Sequence, residues 1–206
     1  MPSYSDLPGR LAKPLVFALC LLPLAWLAHK GWTAGFGAHP QEYVNRFLGD
    51  WALRFLLIAL AVTPVREISG VAGLARFRRM LGLYAFFYVC LHVLSYVVAT
   101  HFFDWTEIGK DILKRNYITV GMAVFLTLLP LAATSTAGMA KLLGAARWKK
   151  LHRLVYAAGI GGVVHFTMMV KADVREPMLY ALILALLLGW RVFRRQAARA
   201  RLAKNT

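Results

Sequence analysis

The sequence predicts an all-α protein, a polytopic membrane helix bundle with six transmembrane helices and both termini in the cytoplasm. Three observations support this prediction. The 206 residues are 59% hydrophobic and 17% charged, with a mean hydropathy of +0.56, which is more apolar than a soluble domain of this length. The apolar residues form runs that can cross a bilayer core of about 30 Å. Lys and Arg concentrate between alternate runs, as the positive-inside rule requires.

Six apolar segments account for the predicted spans of a single domain, residues 1–206. They are approximately Pro14–Ala28, Phe47–Val62, Arg78–Tyr96, Ile118–Ala133, Lys150–Val170 and Pro177–Phe193. The first resembles the apolar core of a signal peptide, but no convincing cleavage site precedes a soluble domain. Pro64 is expected to end the second segment, and Pro130 to kink the fourth.

The distribution of basic residues predicts the topology. The N-terminal segment, the 64–79 and 134–153 connections and the C-terminal tail together hold 17 Lys and Arg, whereas the other three connections hold 7. Because basic residues accumulate on the cytoplasmic side, both termini are predicted to be cytoplasmic. A net charge of +16 is also compatible with nucleic acid, but its placement in the loops favours membrane lipid and no nucleic acid.

Several residues with reactive side chains carry no functional signal. Cys20 and Cys90 lie within apolar runs and are expected to be small buried hydrophobes, not a disulfide or a CxxC motif. His29, His39 and His101 fall in or beside the connections and are expected to be solvated loop or interface histidines. The sequence has no Gly-rich phosphate loop and no repeat, and we assign it no catalytic residue.

Three histidines lie on the predicted third and fifth helices. With a rise of 1.5 Å per residue, His92 lies about 20 Å from Arg79 and His165 about 22 Å from Lys150. Both helices run outward, so His92 and His165 are predicted to share one depth, where ionisable residues are costly and usually functional. Two such imidazoles can occupy both axial positions of a haem iron. A proton relay is the alternative, whereas zinc would need more ligands.

His152 is predicted to lie at the cytoplasmic surface. An ideal helix places it about 140° around the axis from His165. A second haem at that level would need a partner on the third helix near Arg78 or Arg79, and no histidine is there. His152 is therefore either a ligand of a second haem with an unusual or incomplete ligand set, or an interfacial histidine.

A tyrosine stripe accompanies His92 on the third helix. Tyr84, Tyr88 and Tyr96 recur with His92 at intervals of four residues, which places them near one helix face. The stripe is expected either to line a cofactor or to pack against a neighbouring helix, and the sequence does not separate these two roles.

Several stretches of the chain resemble a known family. They are RRMLGLYAFFYVCLHVLSY, KRNYITVG, LAATS and WKKLHRLVY followed by HF. They are similar to the MsrQ (YedZ) family, the haem-binding membrane subunits of bacterial MsrPQ methionine sulfoxide reductase systems, within the ferric reductase-like transmembrane superfamily. The resemblance covers nearly the whole chain. It implies haem b and FMN as cofactors, His92, His152 and His165 as functional histidines, and a link between FMN and the Arg78–Arg79 pair.

The resemblance implies an electron-transfer subunit of the bacterial inner membrane rather than the catalytic subunit. The expected donor is the quinone pool or a cytosolic flavin reductase, and the expected acceptor is a periplasmic molybdopterin reductase resembling MsrP. The sequence lacks the second histidine on the third helix and the NADPH or FAD domain of the larger ferric reductases, so an external donor is expected. A stand-alone ferric reductase and a non-redox transporter or assembly factor are the alternatives.

Overall fold

The computed structural model describes residues 7–170 and 172–204; the two termini, to which the topology prediction refers, lie outside this range. The described part of the chain contains α-helices and no strand. The α-helices are α1 Leu7–Thr33, α2 Pro40–Ser69, α3 Arg78–Ser95, α4 Trp105–Lys114, α5 Asn116–Ala133, α6 Ala137–Leu143, α7 Ala145–His152, α8 Leu154–Met169 and α9 Arg175–Lys204. A 3₁₀ turn leads into α3, and a π turn continues it to Thr100.

Five helical segments are long and apolar enough to cross a membrane. They are Ala12–Thr33, Pro40–Ser69, Ala72–Thr100, Asn116–Ala133 and Arg175–Ala203, and each contains most or all of one predicted span. The remaining predicted span, Lys150–Val170, is divided at Arg153 into α7 and α8. At 16 residues, α8 is about 24 Å long. The helical membrane class is confirmed, whereas a sixth span and the topology stay predictions.

The central helix, α2, packs against α3, α8 and α9. The prediction that Pro64 ends this helix is wrong, because α2 continues to Ser69 and stops at Gly70, which adopts a left-handed conformation with φ of 72°. A proline inside a helix leaves the carbonyl four residues earlier without its donor. Here that carbonyl belongs to Leu60, and Arg191 Nη2 of α9 donates to it at 2.5 Å.

The tyrosine stripe joins α3 to α1. The Tyr84 hydroxyl donates to the Phe17 carbonyl at 3.0 Å, and the Tyr88 hydroxyl donates to the Cys20 carbonyl at 2.9 Å. Tyr88 is fully buried, so these two tyrosines pack between helices instead of facing the paired histidines. Cys20 is buried, as predicted, whereas Cys90 is only half-buried.

The connection between α3 and α5 folds as the short helix α4. The Asp104 side chain caps it by accepting from the Thr106 and Glu107 N–H groups, both at 3.0 Å, a common N-cap arrangement. His101 is not a solvated loop residue, which was one of the two roles expected for it. Its side chain is 14% exposed, and Nε2 lies 3.1 Å from Asp111 Oδ2 of α4, because the π turn folds His101 back against this helix.

Candidate functional site

Two helix pairs form the part of the bundle that holds His92 and His165. The pairs are α2 with α3 and α5 with α8, and they are the two most extensively packed pairs in the described structure. His92 lies near the end of α3, and His165 lies near the end of α8. The structure therefore brings together the two histidines that the depth argument placed at one level, and we call this region the histidine end.

The His92 imidazole is oriented by α2. Its Nδ1 lies 2.9 Å from the Asn45 backbone carbonyl. A carbonyl oxygen only accepts hydrogen bonds, so Nδ1 carries the proton and Nε2 of the neutral ring keeps a free lone pair. The Asn45 amide also donates to the His92 carbonyl at 3.1 Å and to Ser95 Oγ at 2.8 Å, which fixes the register between the two helices.

The His165 imidazole repeats this arrangement against α5. Its Nδ1 lies 2.7 Å from the Tyr117 backbone carbonyl, so Nδ1 is again the donor and Nε2 is again left unprotonated. Donation from Nδ1 to a carbonyl is the usual way that a protein orients a metal-binding histidine and raises the basicity of its other nitrogen. Both histidines thus have the tautomer that a metal centre requires.

The separation of the two imidazole rings fits ligation of one metal ion by both. The ring centroids of His92 and His165 are 6.2 Å apart, and the ring planes are inclined by 78°. A metal–imidazole bond is about 2 Å, so two rings on opposite sides of one ion have centroids about 6 Å apart. Among the described residues, no group of three or more His, Cys, Asp or Glu side chains is placed to hold a metal ion. Two ligands suit a haem, which supplies its own equatorial nitrogens.

His152 has a different environment, at the opposite end of the bundle. Its Nε2 lies 3.1 Å from Thr134 Oγ1, which itself donates to the Pro130 carbonyl at 2.6 Å. The hydroxyl proton is used there, so His152 Nε2 is the donor to Thr134 and presents no free lone pair. Trp148 stacks on the His152 ring with centroids 4.0 Å apart. Burial, together with the nearby Arg78 guanidinium, lowers the pKa of His152.

His152 also lines a basic cavity of about 720 Å³ bounded by α2, α3, α5, α7, α8 and α9. We call this region the arginine end. Its basic lining residues are Arg78, Arg79, Lys149, Arg153, Arg191, Arg194 and Arg195. The acidic residue Glu67 is also in the lining, and its carboxylate lies 3.2 Å from Arg194 Nε. The cavity therefore combines an excess of positive charge with apolar walls such as Phe86, and it suits an anionic, partly aromatic ligand.

The structure places Arg78 and Arg79 in this cavity and away from the paired histidines. Arg78 Nη1 donates to Thr63 Oγ1 of α2 at 3.3 Å. The sequence argument therefore selected two separate groups of residues, one at each end of the bundle. It missed Asn45 and Tyr117, whose backbone carbonyls orient the histidines, because a backbone acceptor leaves no trace in residue identity.

Comparison with known proteins places this fold in a class. The family described as ferric reductase like transmembrane component matches residues 48–163, more than half of the chain, and the match includes both α3 and most of α8. The class defined here is that of ferric reductase-like helical membrane proteins.

The similar curated proteins narrow the class to one family. A protein from Rhodospirillum rubrum is 53% identical over 93% of this chain and 94% of its own length, and one from Caulobacter vibrioides is 46% identical over 97% and 98%. A third, from Polaromonas naphthalenivorans, is 51% identical over 94% and 90%. Each is named protein-methionine-sulfoxide reductase heme-binding subunit MsrQ. The chain belongs to the MsrQ family, a group of multi-pass proteins of the bacterial inner membrane.

Proposed function

We propose that the chain is the haem b-binding, electron-transferring membrane subunit of a protein-methionine-sulfoxide reductase system. The observation that supports this most directly is the close pair His92 and His165, with an unprotonated Nε2 on each ring and a centroid separation of 6.2 Å. The name shared by the relatives supports the same cofactor and system. In this proposal the chain carries electrons and leaves the reduction of methionine sulfoxide to a catalytic partner.

The residues of the histidine end have three tasks in this function. His92 and His165 would hold the haem iron through Nε2, and the Asn45 and Tyr117 carbonyls hold the rings in the tautomer that leaves Nε2 free. The surrounding apolar helices exclude water, which lowers the local dielectric and affects the redox potential. Haem, when bound, supplies the one-electron redox chemistry.

We propose FMN as the ligand of the arginine end. Arg78 and Arg79 provide guanidinium groups for a phosphate, which arginine binds through charge-assisted hydrogen bonds. A volume of about 720 Å³ lies within the range of cofactor pockets. His152 and Trp148 supply a stacked aromatic wall, which suits a flat ring system. FMN, when bound, supplies a site that exchanges one or two electrons.

We also propose a six-span topology that orients these two ends across the membrane. The 17 Lys and Arg of the alternate segments support a cytoplasmic position for the arginine end, by the positive-inside rule. The histidine end then lies toward the periplasm, with α8 as the short sixth span. The donor in this arrangement is the quinone pool or a cytosolic flavin reductase, and the acceptor is a periplasmic molybdopterin-containing reductase resembling MsrP.

One measurement tests the proposed function against its alternatives. The purified protein should show the visible spectrum of a low-spin b-type haem, with haem and FMN quantified against protein. Reduced protein should then be reoxidised by a purified MsrP-like partner supplied with methionine sulfoxide, and not by the partner alone. A colourless protein would leave only the non-redox alternatives, and reoxidation by ferric chelates without response to the partner would favour a stand-alone ferric reductase.

A further inference from the structure

Two glycines occupy equivalent positions beside the paired histidines. Gly49 follows Asn45 by four residues on α2, and Gly121 follows Tyr117 by four residues on α5. In an α-helix the carbonyl oxygen of residue i accepts a hydrogen bond from the N–H of residue i+4. The second lone pair of this oxygen is accessible next to residue i+4. In both helices the histidine Nδ1 donates to this second lone pair. In both helices residue i+4 is glycine, which has no side chain.

The space beside each carbonyl is filled by the imidazole ring. A Cβ added to Gly121 would lie 2.8 Å from His165 Cε1 and 2.9 Å from Nδ1. A Cβ added to Gly49 would lie 3.1 Å from the same two atoms of His92. Real Cβ atoms essentially never lie closer than 3.0 Å to such neighbouring heavy atoms, so the His165 ring would have to move. Glycine is unfavourable inside a helix relative to alanine, and close approach of a neighbouring group is a reason to keep it.

This arrangement is repeated within the bundle although the sequence shows no repeat. His92 lies 47 residues after Asn45, and His165 lies 48 residues after Tyr117. Each unit consists of an acceptor helix and a histidine helix, and the two units are the α2–α3 and α5–α8 pairs. The same carbonyl, glycine and imidazole geometry therefore approaches the site from two sides.

We propose that Gly49 and Gly121 are positioning residues that set the orientation of the two axial imidazoles. Each glycine, with the carbonyl four residues earlier, forms a notch that accepts the edge of one ring and fixes its plane. Together the two notches hold the planes at 78°. This inference rests on the proposed function, because it assigns the notches a role at a haem iron held by His92 and His165.

The angle between the planes has a spectroscopic consequence. When two axial imidazoles are nearly perpendicular, the iron d orbitals that interact with their π systems are nearly equal in energy. Low-spin ferric haem then gives one strongly anisotropic EPR feature at high g value, whereas parallel rings separate the orbitals and give a rhombic spectrum. The wild-type protein should therefore give the anisotropic signal, and a change in either notch should alter it.

The test replaces each glycine by alanine in the full-length protein. Gly121→Ala should lower the haem-to-protein ratio about tenfold, the lower range for losing an outer interaction that orients a metal ligand. The haem that remains should show a high-spin or rhombic signal, and added imidazole should restore low-spin iron. Gly49→Ala, with its looser 3.1 Å contact, should keep more haem but still change the EPR signal.

Gly189→Ala on α9 is the matched control, because a Cβ there meets nothing within 4 Å. It should keep the haem content and EPR signal of the wild type. Helix content by circular dichroism should stay unchanged in all three variants, since alanine favours helix. If the glycines had only a structural role, their replacement would change the helix content and not the EPR signal.

The outcomes separate this inference from the proposed function. Wild-type protein without low-spin haem would contradict the proposed function itself. If the wild type holds low-spin haem and Gly121→Ala keeps both its content and its EPR signal, the notch proposal is overturned. If Gly121→Ala does not accumulate, the milder Gly49→Ala decides, and an unchanged EPR signal in that variant overturns the proposal as well.

Discussion

The two ends of the bundle carry histidines on the same helical framework, but they present them differently. His92 and His165 each donate from Nδ1 to a backbone carbonyl and leave Nε2 free. His152 donates from Nε2 to Thr134 and stacks on Trp148. A histidine inside a membrane protein is therefore not a ligand by position alone, since the partner of its other nitrogen decides which atom is available.

The same comparison explains why the ends differ in charge. His165 follows His152 by 13 residues, and His92 follows Arg79 by the same interval. The position on α3 that corresponds to His152 is thus an arginine. The histidine end pairs two imidazoles between apolar helices, whereas the arginine end combines one imidazole with guanidinium groups around a cavity. The first arrangement suits a metal that needs two neutral ligands, and the second suits an anion.

The largest expected difference between the two ends is the side of the membrane on which each lies. Labelling by an impermeant reagent from one side should reach one end and not the other. In a background lacking Cys20 and Cys90, single cysteines at Ala38 or Thr106 should react with an impermeant thiol reagent in intact spheroplasts. Cysteines at Ser69 or Ala146 should react only after the membrane is opened. The reverse labelling pattern would invert the direction of electron flow proposed here.

The second difference concerns haem retention. His92→Ala and His165→Ala should each reduce bound haem by more than the roughly 10- to 100-fold that loss of an outer orienting contact costs, because an axial ligand itself is removed. His152→Ala is the matched variant and should keep the low-spin spectrum of the histidine end. Loss of all haem in His152→Ala with retention in His92→Ala would show that the paired rings are not the ligands.

The third difference concerns flavin. Replacing Arg78 and Arg79 together by Gln should lower bound FMN about tenfold or more, since each charge-assisted hydrogen bond contributes about 1.5–3 kcal/mol. The haem spectrum should stay unchanged, because these arginines lie at the other end of the bundle. Arg199→Gln, an exposed substitution outside the cavity, provides the control. Unchanged flavin in the double variant would make the two arginines membrane anchors only.

The smallest expected effect is on stability. It concerns Arg191, which lines the cavity but also stabilises the fold. Arg191→Met should lower the free energy of unfolding by about 1–3 kcal/mol, because the buried Leu60 carbonyl loses its donor. Adding Pro64→Ala should rescue this variant, since an alanine in place of the proline would restore the missing N–H of the helix. Thermal unfolding of the single and double variants measures the effect. A double variant as unstable as Arg191→Met would show that the carbonyl is not the cause.

Several features followed from the sequence because they depend on local properties. Hydropathy and length identified the helical membrane class, and the fixed rise of a helix placed His92 and His165 at one depth. The Lys and Arg pattern also predicted the side of the membrane for each connection, and that topology stays a prediction. Each of these properties is read from residue types along the chain, so no knowledge of packing was needed.

Other features were decided only by the tertiary structure. Where α2 continues through Pro64, the freed Leu60 carbonyl accepts from Arg191, which is 127 residues from Pro64 in the sequence. The burial of His101 depends on the fold of α4 against the π turn. The break between α7 and α8 likewise separates His152 from the helix that carries His165. These outcomes depend on partners from distant segments, which local hydropathy does not record.

The orientation of the paired histidines shows most clearly which features follow from the sequence and which depend on tertiary packing. The sequence predicted two imidazoles at one depth in a helical membrane protein. Only the packing of α2 on α3 and of α5 on α8 decided that the Asn45 and Tyr117 carbonyls accept from Nδ1 and that Gly49 and Gly121 leave room for the rings. A backbone carbonyl and an absent side chain give no recognisable residue pattern, so the contacts that make Nε2 available appear only when the helices meet.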